Sequence, residues 1–378
     1  MKQITLAIIG SNVNAVIFAT RARELNIRTV CFGWNNCFDA KELVDVFYIT
    51  GTFDIDYVIK NCIAENVQGV LCATESALYD TAVIASKLGL ICNPVDVVKI
   101  VTNKLYMRNI AKNLAIIKMP WYIFRDVGES FNASCIRSYP VIVKPVRGTG
   151  KTGITVVESE KTLATALHYA DTAVRNNDGI MIEEYLASGH EYSVETLSFN
   201  GHHQVIQLTS KISSGPPHCI EIEYHQGIGT VNDDMYEKIV RGVGELLDCA
   251  GVTFGPCHIE IKIIDDTIYL IELNARMGGG GISYPLTELT TGYPYISAII
   301  LCALGICLGP KHSNGTKKFA GIYYVVKQNE YLKKVLDTCD NENWFYKKQI
   351  DSAPLVEVTT NYERKNWFMY LSDHKVCF

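Results

Sequence analysis

The feature that most restricts the fold of this chain is a glycine-rich turn between two runs of strand-forming residues. Residues 141–146 and 154–157 have the composition of short strands. Three glycines lie between them, namely Gly148, Gly150 and Gly153. Such a strand–loop–strand hairpin lets backbone N–H groups come close to a phosphate. Lys144 lies within the first apolar run, where an ammonium group is costly unless it meets an anion. The segment therefore predicts a hairpin that folds over a phosphate.

Three well-known phosphate-binding loops do not fit this segment. A Walker A loop needs a glycine five residues before Gly150, where the chain has Pro145. A Rossmann loop must open a helix, whereas Ile154 begins a run of strand-forming residues. A protein kinase also needs the HRD and DFG motifs, and the sequence contains neither. A plain surface hairpin would leave Lys144 unexplained, so we interpret the segment as a phosphate clamp of another kind.

A second cluster of functional residues lies in two apolar runs that Asp265 and Asp266 connect. This pattern predicts an antiparallel hairpin that places Glu260 and Glu272 on neighbouring strands. Together with Asn274 they would offer the hard oxygen ligands that Mg²⁺ prefers. A solvated hairpin face is the alternative, but it would carry mostly Lys, Thr and Ser, whereas the flanking residues are strongly apolar.

Alternation of side chains along the second strand of this hairpin predicts a shared face for Leu270, Glu272 and Asn274. Arg276 continues the same side and would supply a permanent positive charge beside a transferring phosphate. The hairpin is thus expected to bring a metal site and a cation together.

Composition and charge narrow the class of protein. The chain has 378 residues, which is enough for two or three domains, and its formal net charge of −5 gives no basic field for nucleic acid. Its 13 cysteines are scattered without a CxxC pair, so we interpret them as reduced core cysteines of a cytoplasmic protein. The apolar stretch at residues 296–308 is too short to span a bilayer, so no membrane segment is expected.

The order of elements predicts a mixed α/β and α+β protein. Strands and helices alternate through residues 1–95, which indicates a parallel sheet covered on both faces, whereas antiparallel hairpins dominate afterwards. A strand at residues 121–125 is expected to pair with the one at 141–146. The predicted domains are residues 1–95 (α/β), 96–185 (with the glycine loop), 186–310 (with the carboxylate pair) and 311–378 (a small appended α/β segment).

A third motif, from Met181 to Glu195, reads MIEEYLASGHEYSVE. With the glycine loop and the carboxylate hairpin, it resembles the ATP-grasp superfamily, and within it the carboxylate–amine ligases typified by bacterial L-amino-acid ligases. The resemblance implies an ATP-grasp fold with an N-terminal Rossmann-like (pre-ATP-grasp) domain. It also implies ATP and Mg²⁺, or Mn²⁺ in its place, as cofactors, and a homodimer.

The resemblance implies a role for each matching residue. Phosphate contacts fall to Lys104, Lys144 and the loop residues Gly148, Thr149, Gly150 and Gly153. Adenine contacts fall to Glu183, Glu184 and Leu186, and the ribose contact falls to Glu191. Metal ligands are Glu260, Glu272 and Asn274. Lys144 and Arg276 are the catalytic cations. Substrate contacts are assigned to Lys211, Glu223, His225, Arg276, Gly278, Gly279 and Gly280. For Lys104, a solvated position on a helix surface is the alternative.

The implied reaction is phosphorylation of a substrate carboxylate to an acyl phosphate, followed by attack of an amine to form an amide or peptide bond. The expected partners are small carboxylates and amines, with amino acids as the leading candidates. Two alternatives stay open at this point. One is an enzyme that activates bicarbonate or formate, of the purine-biosynthesis or biotin-carboxylase type. The other is a catalytically silent ATP-binding module.

Overall fold

The structure is a computed structural model that describes residues 3–34, 38–50, 54–174, 178–309 and 316–378. The described strands form three sheets, two of four strands and one of nine. The predicted domain boundary at residues 310 and 311 lies outside the described residues. None of the helices within the described ranges combines the length and the apolar character needed to cross a membrane.

The N-terminal sheet is parallel, as its alternating pattern predicts. Its strands, β1 (Thr5–Ile9), β2 (Arg28–Gly33), β3 (Val46–Ile49) and β4 (Gly69–Cys72), lie in the order β3-β2-β1-β4. Its helices are α1 (Val13–Glu24), α2 (Phe38–Leu43), α3 (Ile55–Ala64) and α4 (Leu78–Leu88). All five residues of β1 are buried, as expected for a central strand with helices on both faces.

The sheet that carries the glycine loop is antiparallel. The elements of this region are α5 (Val95–Val101), α6 (Lys104–Ala111), β5 (Ile117–Lys118), β6 (Tyr122–Arg125), β7 (Val141–Pro145), β8 (Thr155–Val157), α7 (Glu160–Ala173) and β9 (Ile180–Glu184). The strand order is β6-β9-β7-β8, so the predicted direct pairing of β6 with β7 is wrong. Strands β9 and β7 are the two central strands, and Ile180 and Ile182 of β9, like Val141 and Val143 of β7, are fully buried.

The large sheet is built from the predicted hairpins. Its region contains β10 (His190–Phe199), β11 (His202–Ser213), β12 (Glu221–Gln226), α8 (Asp233–Ala250), β13 (Gly255–Ile264), β14 (Thr267–Asn274), α9 (Thr287–Thr291) and α10 (Tyr295–Ala303). Asn200-Gly201 and Asp265-Asp266 have positive φ angles at both residues, as tight hairpin turns require. Both hairpins are therefore confirmed, with β10 paired to β11 and β13 to β14.

The C-terminal segment continues the large sheet. Its elements are β15 (Phe319–Val325), α11 (Lys333–Thr338), β16 (Phe345–Gln349) and β17 (Asn366–Ser372). Strand β15 pairs with β12, which gives the order β16-β17-β15-β12-β11-β10-β13-β14-β5. Backbone groups along the second edge of β12 are thereby satisfied. The predicted appended segment is thus continuous with the sheet that bears the carboxylate pair.

The described cysteines form no disulfide bonds. Five of these twelve are buried and four are exposed, so only part of the set consists of core residues. Burial raises the pKa of the Cys62 and Cys257 thiols to about 12, which makes both unreactive.

Helix α8 supports the carboxylate hairpin from behind. It begins after Asn232, whose side chain accepts a hydrogen bond from the Met235 N–H at 2.8 Å, and it ends at Gly251, which has a φ of 74°. Its buried face, which includes Ile239, belongs to the same apolar core as Ile259 of β13. The position of the two strands therefore depends on this helix.

We predict that Ile239→Ala lowers the free energy of unfolding by about 2–5 kcal/mol, because it leaves a cavity under the hairpin. Val240→Ala, at the exposed neighbouring position, serves as the control and should change it by less than about 1 kcal/mol. Denaturant unfolding monitored by circular dichroism measures both variants. Equal losses in the two variants would contradict the proposed packing of α8.

Candidate active site

One cleft of about 410 Å³ brings the predicted clusters together. Lys144, the glycine loop, the acid pair and Arg276 all line it. Its walls come from every part of the chain, because Glu75 follows β4 and Arg364 precedes β17. The clusters that are far apart in sequence are therefore neighbours in space.

The acid pair faces this cleft because of an irregularity in the hairpin. Glu260 lies directly opposite Glu272, but the next pair is Ile261 with Leu270, so Ile271 is an extra residue. Such a bulge changes which side chains share a face. Leu270 is consequently fully buried in the core, while Glu272 and Asn274 line the cleft. The predicted shared face of Leu270 with Glu272 and Asn274 is wrong for this reason.

Lysines compensate the charge of the acid pair. Lys104 Nζ lies 2.8 Å from Glu272, and Lys211 Nζ lies 2.7 Å from Glu260. Burial tends to raise the pKa of the Glu260 carboxyl, but Lys211 and neighbouring cations hold it well below its ordinary value. Lys104 is only 9% exposed, so the alternative of a solvated helix position is wrong. Both acids are ionised and open to the cleft.

Lys211 also belongs to a wider cluster of acids. Its ammonium lies 2.9 Å from Glu191 and 3.1 Å from Glu221. Carboxylate oxygens of Glu191, Glu221 and Glu260 lie within 4.8 Å of one another. Three acids at this spacing need cations between them, and Lys211 with Lys151 provides those charges here.

Lys144 is held by a buried network. It forms an ion pair with Glu183, which also receives hydrogen bonds from Arg108 at 2.8 and 3.2 Å. Burial, with help from Arg108 and Lys104, lowers the pKa of Lys144 to about 8, although Glu183 acts in the opposite direction. Glu183 therefore anchors the lysine that faces the cleft.

The residues implied for the nucleoside lie outside the cleft lining. Glu183 is 2% exposed and is occupied by its ion pairs, so its side chain is not presented to an adenine. The Glu184 N–H donates to Trp121, and the Leu186 carbonyl accepts from Lys262 at 2.5 Å. Adenine contacts at Glu184 and Leu186 and a ribose contact at Glu191 stay predictions.

The glycine loop lies against the C-terminal segment. Gly150 and Lys151 both have a φ of 65°, and the Gly150 carbonyl accepts a hydrogen bond from the Asn361 N–H at 2.9 Å. Thr149 contacts the Tyr362 hydroxyl, and a Cβ at position 150 would lie 2.4 Å from the Tyr362 ring. The loop is closed over the cleft, and a residue larger than glycine would prevent this contact.

Not every loop glycine faces the cleft. Gly148, Thr149 and Gly150 line it, whereas Gly153 does not. A Cβ at position 153 would lie 2.5 Å from the Cβ of Ala173, so this glycine allows the loop to pack on α7. Its assigned phosphate contact is therefore replaced by a packing role.

Two of the predicted substrate contacts point away from the cleft. Glu223 and His225 pair with each other at 3.0 Å, and His225 Nδ1 lies 3.1 Å from the Tyr370 hydroxyl. A register shift between β11 and β12 makes Ile222 an extra residue, so Glu221 and Tyr224 line the cleft instead. The structure does not bring Glu223 and His225 to the cleft, and their assigned substrate contacts stay predictions.

The turn after β14 is fixed by a buried ion pair. Glu195 accepts from the Gly278 N–H at 3.0 Å and pairs with His258, whose Nε2 lies 3.4 Å from Glu260. A Cβ at position 278 would lie 2.6 Å from the His258 ring, so only glycine fits. Gly279 and Gly280 continue into the cleft lining. The turn and the acid pair are therefore one rigid unit.

Several residues of the site were missed at the level of sequence. Arg276 donates to Glu75 at 3.0 Å, which ties the N-terminal domain to the acid pair. Lys151, Tyr224 and Arg364 line the cleft as well. The position of Lys151 among the loop glycines could have identified it as a site residue. No local sequence pattern marks Glu75 or Arg364.

Comparisons with known proteins identify relatives of this chain. Residues 137–284 match the model of an ATP-grasp domain family. An L-arginine-specific L-amino acid ligase from Bacillus subtilis is 25% identical over 225 residues, which are 57% of this chain and 52% of that protein. The chain spans between 14% and 54% of the length of four curated relatives that it matches.

Solved structures match nearly the whole chain. An L-amino acid ligase from Bacillus licheniformis superposes with a TM-score of 0.76 at 22% identity, covering 99% of this chain and 94% of that one. An ADP complex of N5-carboxyaminoimidazole synthetase from Staphylococcus aureus gives a TM-score of 0.77 at 16% identity, with 99% and 95% covered. The chain contains an ATP-grasp domain and has the ATP-grasp fold.

Proposed function

We propose that this protein is an ATP-dependent ligase that activates a substrate carboxylate as an acyl phosphate and joins it to an amine. The observation that carries the proposal is the ionised pair Glu260 and Glu272, which shares one cleft with Lys144, Arg276 and the glycine loop. A protein that only binds a nucleotide has no need of this complete set. The similarity to two L-amino acid ligases favours amino acids as substrates.

The donor set fits magnesium bound to ATP. Glu260, Glu272 and Asn274 offer hard oxygens on adjacent strands, and the two carboxylates now face the lysines that compensate them. When bound, Mg-ATP supplies the phosphoryl group that turns a poorly reactive carboxylate into a good acylating agent. Lys211 and Lys104 are placed to exchange their carboxylate partners for phosphate oxygens.

The chain's own residues position and shield the reactants. Lys144, on the strand that leads into the glycine loop, and Lys104 balance phosphate charge, and Arg276 faces the place where the substrate carboxylate gains charge. The loop, closed against Tyr362, keeps water away from the activated carboxylate. The N–H groups near Gly279 and Gly280 are available to a substrate oxygen.

The proposal predicts release of ADP that requires both a carboxylate and an amine. A screen of amino-acid pairs with Mg-ATP should show this dependence, and mass spectrometry should detect a product with the mass of the pair less one water. ADP release that depends on bicarbonate alone would support the bicarbonate-activating alternative. ATP binding without turnover across the screen would contradict the ligase and support a silent binding module.

We predict that Glu272→Ala lowers kcat by at least about 100-fold, because it removes an oxygen ligand and with it several kcal/mol of charge stabilisation. Glu223→Ala is the control, since Glu223 pairs with His225 away from the cleft, and it should keep near-normal activity. Steady-state ADP release measures both, and circular dichroism checks the fold. A near-normal rate in Glu272→Ala would refute the metal assignment.

The lowered pKa of Lys144, about 8, predicts a pH dependence of nucleotide affinity. Below this pH the lysine is an ammonium that attracts phosphate, and above it the charge is lost. The dissociation constant of Mg-ATP should therefore be nearly constant below pH 7 and rise about tenfold per unit above pH 8. Isothermal titration calorimetry between pH 6.5 and 9.5 measures it.

Lys144→Arg is the control for this titration, because a guanidinium stays charged throughout that range. Its affinity for Mg-ATP should be flat where that of the unmodified protein declines. An identical decline in Lys144→Arg would assign the effect to another group and would contradict the role of Lys144.

A further inference from the structure

Arg364 differs from the other cations of the cleft. Each lysine and the other arginine in its lining has a carboxylate oxygen within 3.0 Å: Lys104, Lys144, Lys151, Lys211 and Arg276. Arg364 forms no ion pair with any carboxylate in the described ranges. A guanidinium that faces a cleft without such a partner is a ready site for an anion.

The protein holds this guanidinium in a fixed position. Nε donates to the Asn361 carbonyl at 3.1 Å, and Nη1 donates to the Glu221 carbonyl at 2.6 Å and the Tyr224 hydroxyl at 3.0 Å. The guanidinium carbon lies 4.0 Å above the centre of the Tyr324 ring. Nη2 has no acceptor among the described residues. The Nη2 amino group of a stacked, oriented guanidinium is therefore available to a ligand.

The side chain of Glu221 does not serve as the carboxylate partner of Arg364. Its carboxylate is bound to Lys151 at 3.0 Å and to Lys211 at 3.1 Å, so only its backbone carbonyl meets Arg364. Burial tends to lower the pKa of Arg364, but the two tyrosines and Glu221 raise it above its ordinary value. Arg364 stays charged at any pH at which the protein is folded.

Arg364 and Arg276 contact different groups of the cleft. Arg276 belongs to the acid pair, since burial tends to lower its pKa while Glu75, Glu272 and Glu260 raise it. Arg364 instead contacts β12 and β15 through Tyr224 and Tyr324. The group that is phosphorylated must lie near the acid pair, so an anion on Arg364 is a different group.

We propose that Arg364 binds a substrate carboxylate that does not react, and that it thereby selects the amine substrate. The inference rests on the proposed ligase function. When an amino acid supplies the amine, its own α-carboxylate stays free, and it needs a cation away from the phosphoryl group. The free Nη2 group can donate a charge-assisted hydrogen bond to an oxygen of such a carboxylate.

The same segment connects this carboxylate site to the glycine loop. Asn361 accepts from Arg364 through its carbonyl and donates to the Gly150 carbonyl through its N–H. A carboxylate bound to Arg364 therefore lies one hydrogen bond away from the residue that holds the loop closed. Binding of the amine substrate and exclusion of water are coupled through one residue.

A direct binding experiment tests the carboxylate site without requiring turnover. The full chain with Mg-ADP is titrated in a calorimeter with each of the twenty protein L-amino acids and with the matching α-carboxamides. We expect at least one amino acid to bind about tenfold or more tightly than its carboxamide, as expected for a charge-assisted hydrogen bond. Arg364→Gln should abolish this preference. Lys365→Gln removes an exposed positive charge from the same segment, and this variant should retain the preference.

Arg364→Lys keeps the charge but loses the planar contact, and it should keep part of the preference even if Arg364→Gln folds poorly. Equal weakening of acid and carboxamide in Arg364→Gln, or no preference in the unmodified protein, overturns the proposal. Acidic amino acids are also compared with their side-chain amides. If Arg364→Gln removes only the preference for an acidic side chain over its amide, Arg364 binds a side-chain carboxylate and the proposal is overturned.

ADP release is measured separately. Carboxylate-dependent binding without ADP release would refute the ligase alone, and ADP release without the charge preference would refute only the role of Arg364.

Discussion

Two ionised glutamates that face each other across a hairpin set the electrostatic problem that the rest of this structure solves. Glu260 and Glu272 repel each other, and neither can stay charged in a closed cleft without nearby cations. The cations come from separate parts of the chain, with Lys104 on α6 and Lys211 on β11. The attraction therefore holds the helix and the strands around the cleft in one arrangement. Under the proposed function, the same lysines would turn to phosphate oxygens once a metal ion binds the carboxylates.

Two β-bulges in the large sheet direct acidic side chains into the cleft. One extra residue in β14, Ile271, brings Glu272 and Asn274 to the cleft while Leu270 stays in the core. One extra residue in β12, Ile222, does the same for Glu221 and Tyr224. Bulges often occur beside active sites because they redirect a side chain without ending a strand. Here both bulges lie in strands that supply acids. In each strand the acidic side chain next to the extra residue therefore faces the cleft, while apolar side chains of the same strand stay in the core.

The sequence was sufficient for the parts of the fold that local patterns encode. Hairpins at Asn200-Gly201 and Asp265-Asp266 follow from turn residues, and the parallel N-terminal sheet follows from alternating elements. Errors arose where one residue changes the phase of a strand, because strict alternation cannot show a bulge. This is why Leu270 was expected on the face of Glu272 and Asn274, whereas Glu223 and His225 were assigned to a substrate by resemblance. Arg364 could not be found at all, since its position depends on the pairing of β15 with β12, a contact between distant segments.

Continuity of the C-terminal segment with the large sheet explains how the cleft is closed. Strand β17 pairs with β15, and the turn just before β17 carries Asn361, Tyr362 and Arg364 to the glycine loop. The loop is held by the backbone hydrogen bond to Asn361, by the exposed Tyr362 side chain, by the ion pair of Lys151 with Glu221 and by packing of Gly153 on α7. None of these contacts is a hydrogen bond between strands, so the loop can open without breaking the pairing of the sheet. The turn that holds the glycine loop is anchored by strand β17. Opening therefore moves the glycine loop and leaves the turn that carries Arg364 in place. Under the proposed function, the same hairpin would serve both release of ADP and protection of the activated carboxylate, while the acid pair and Arg364 keep their positions.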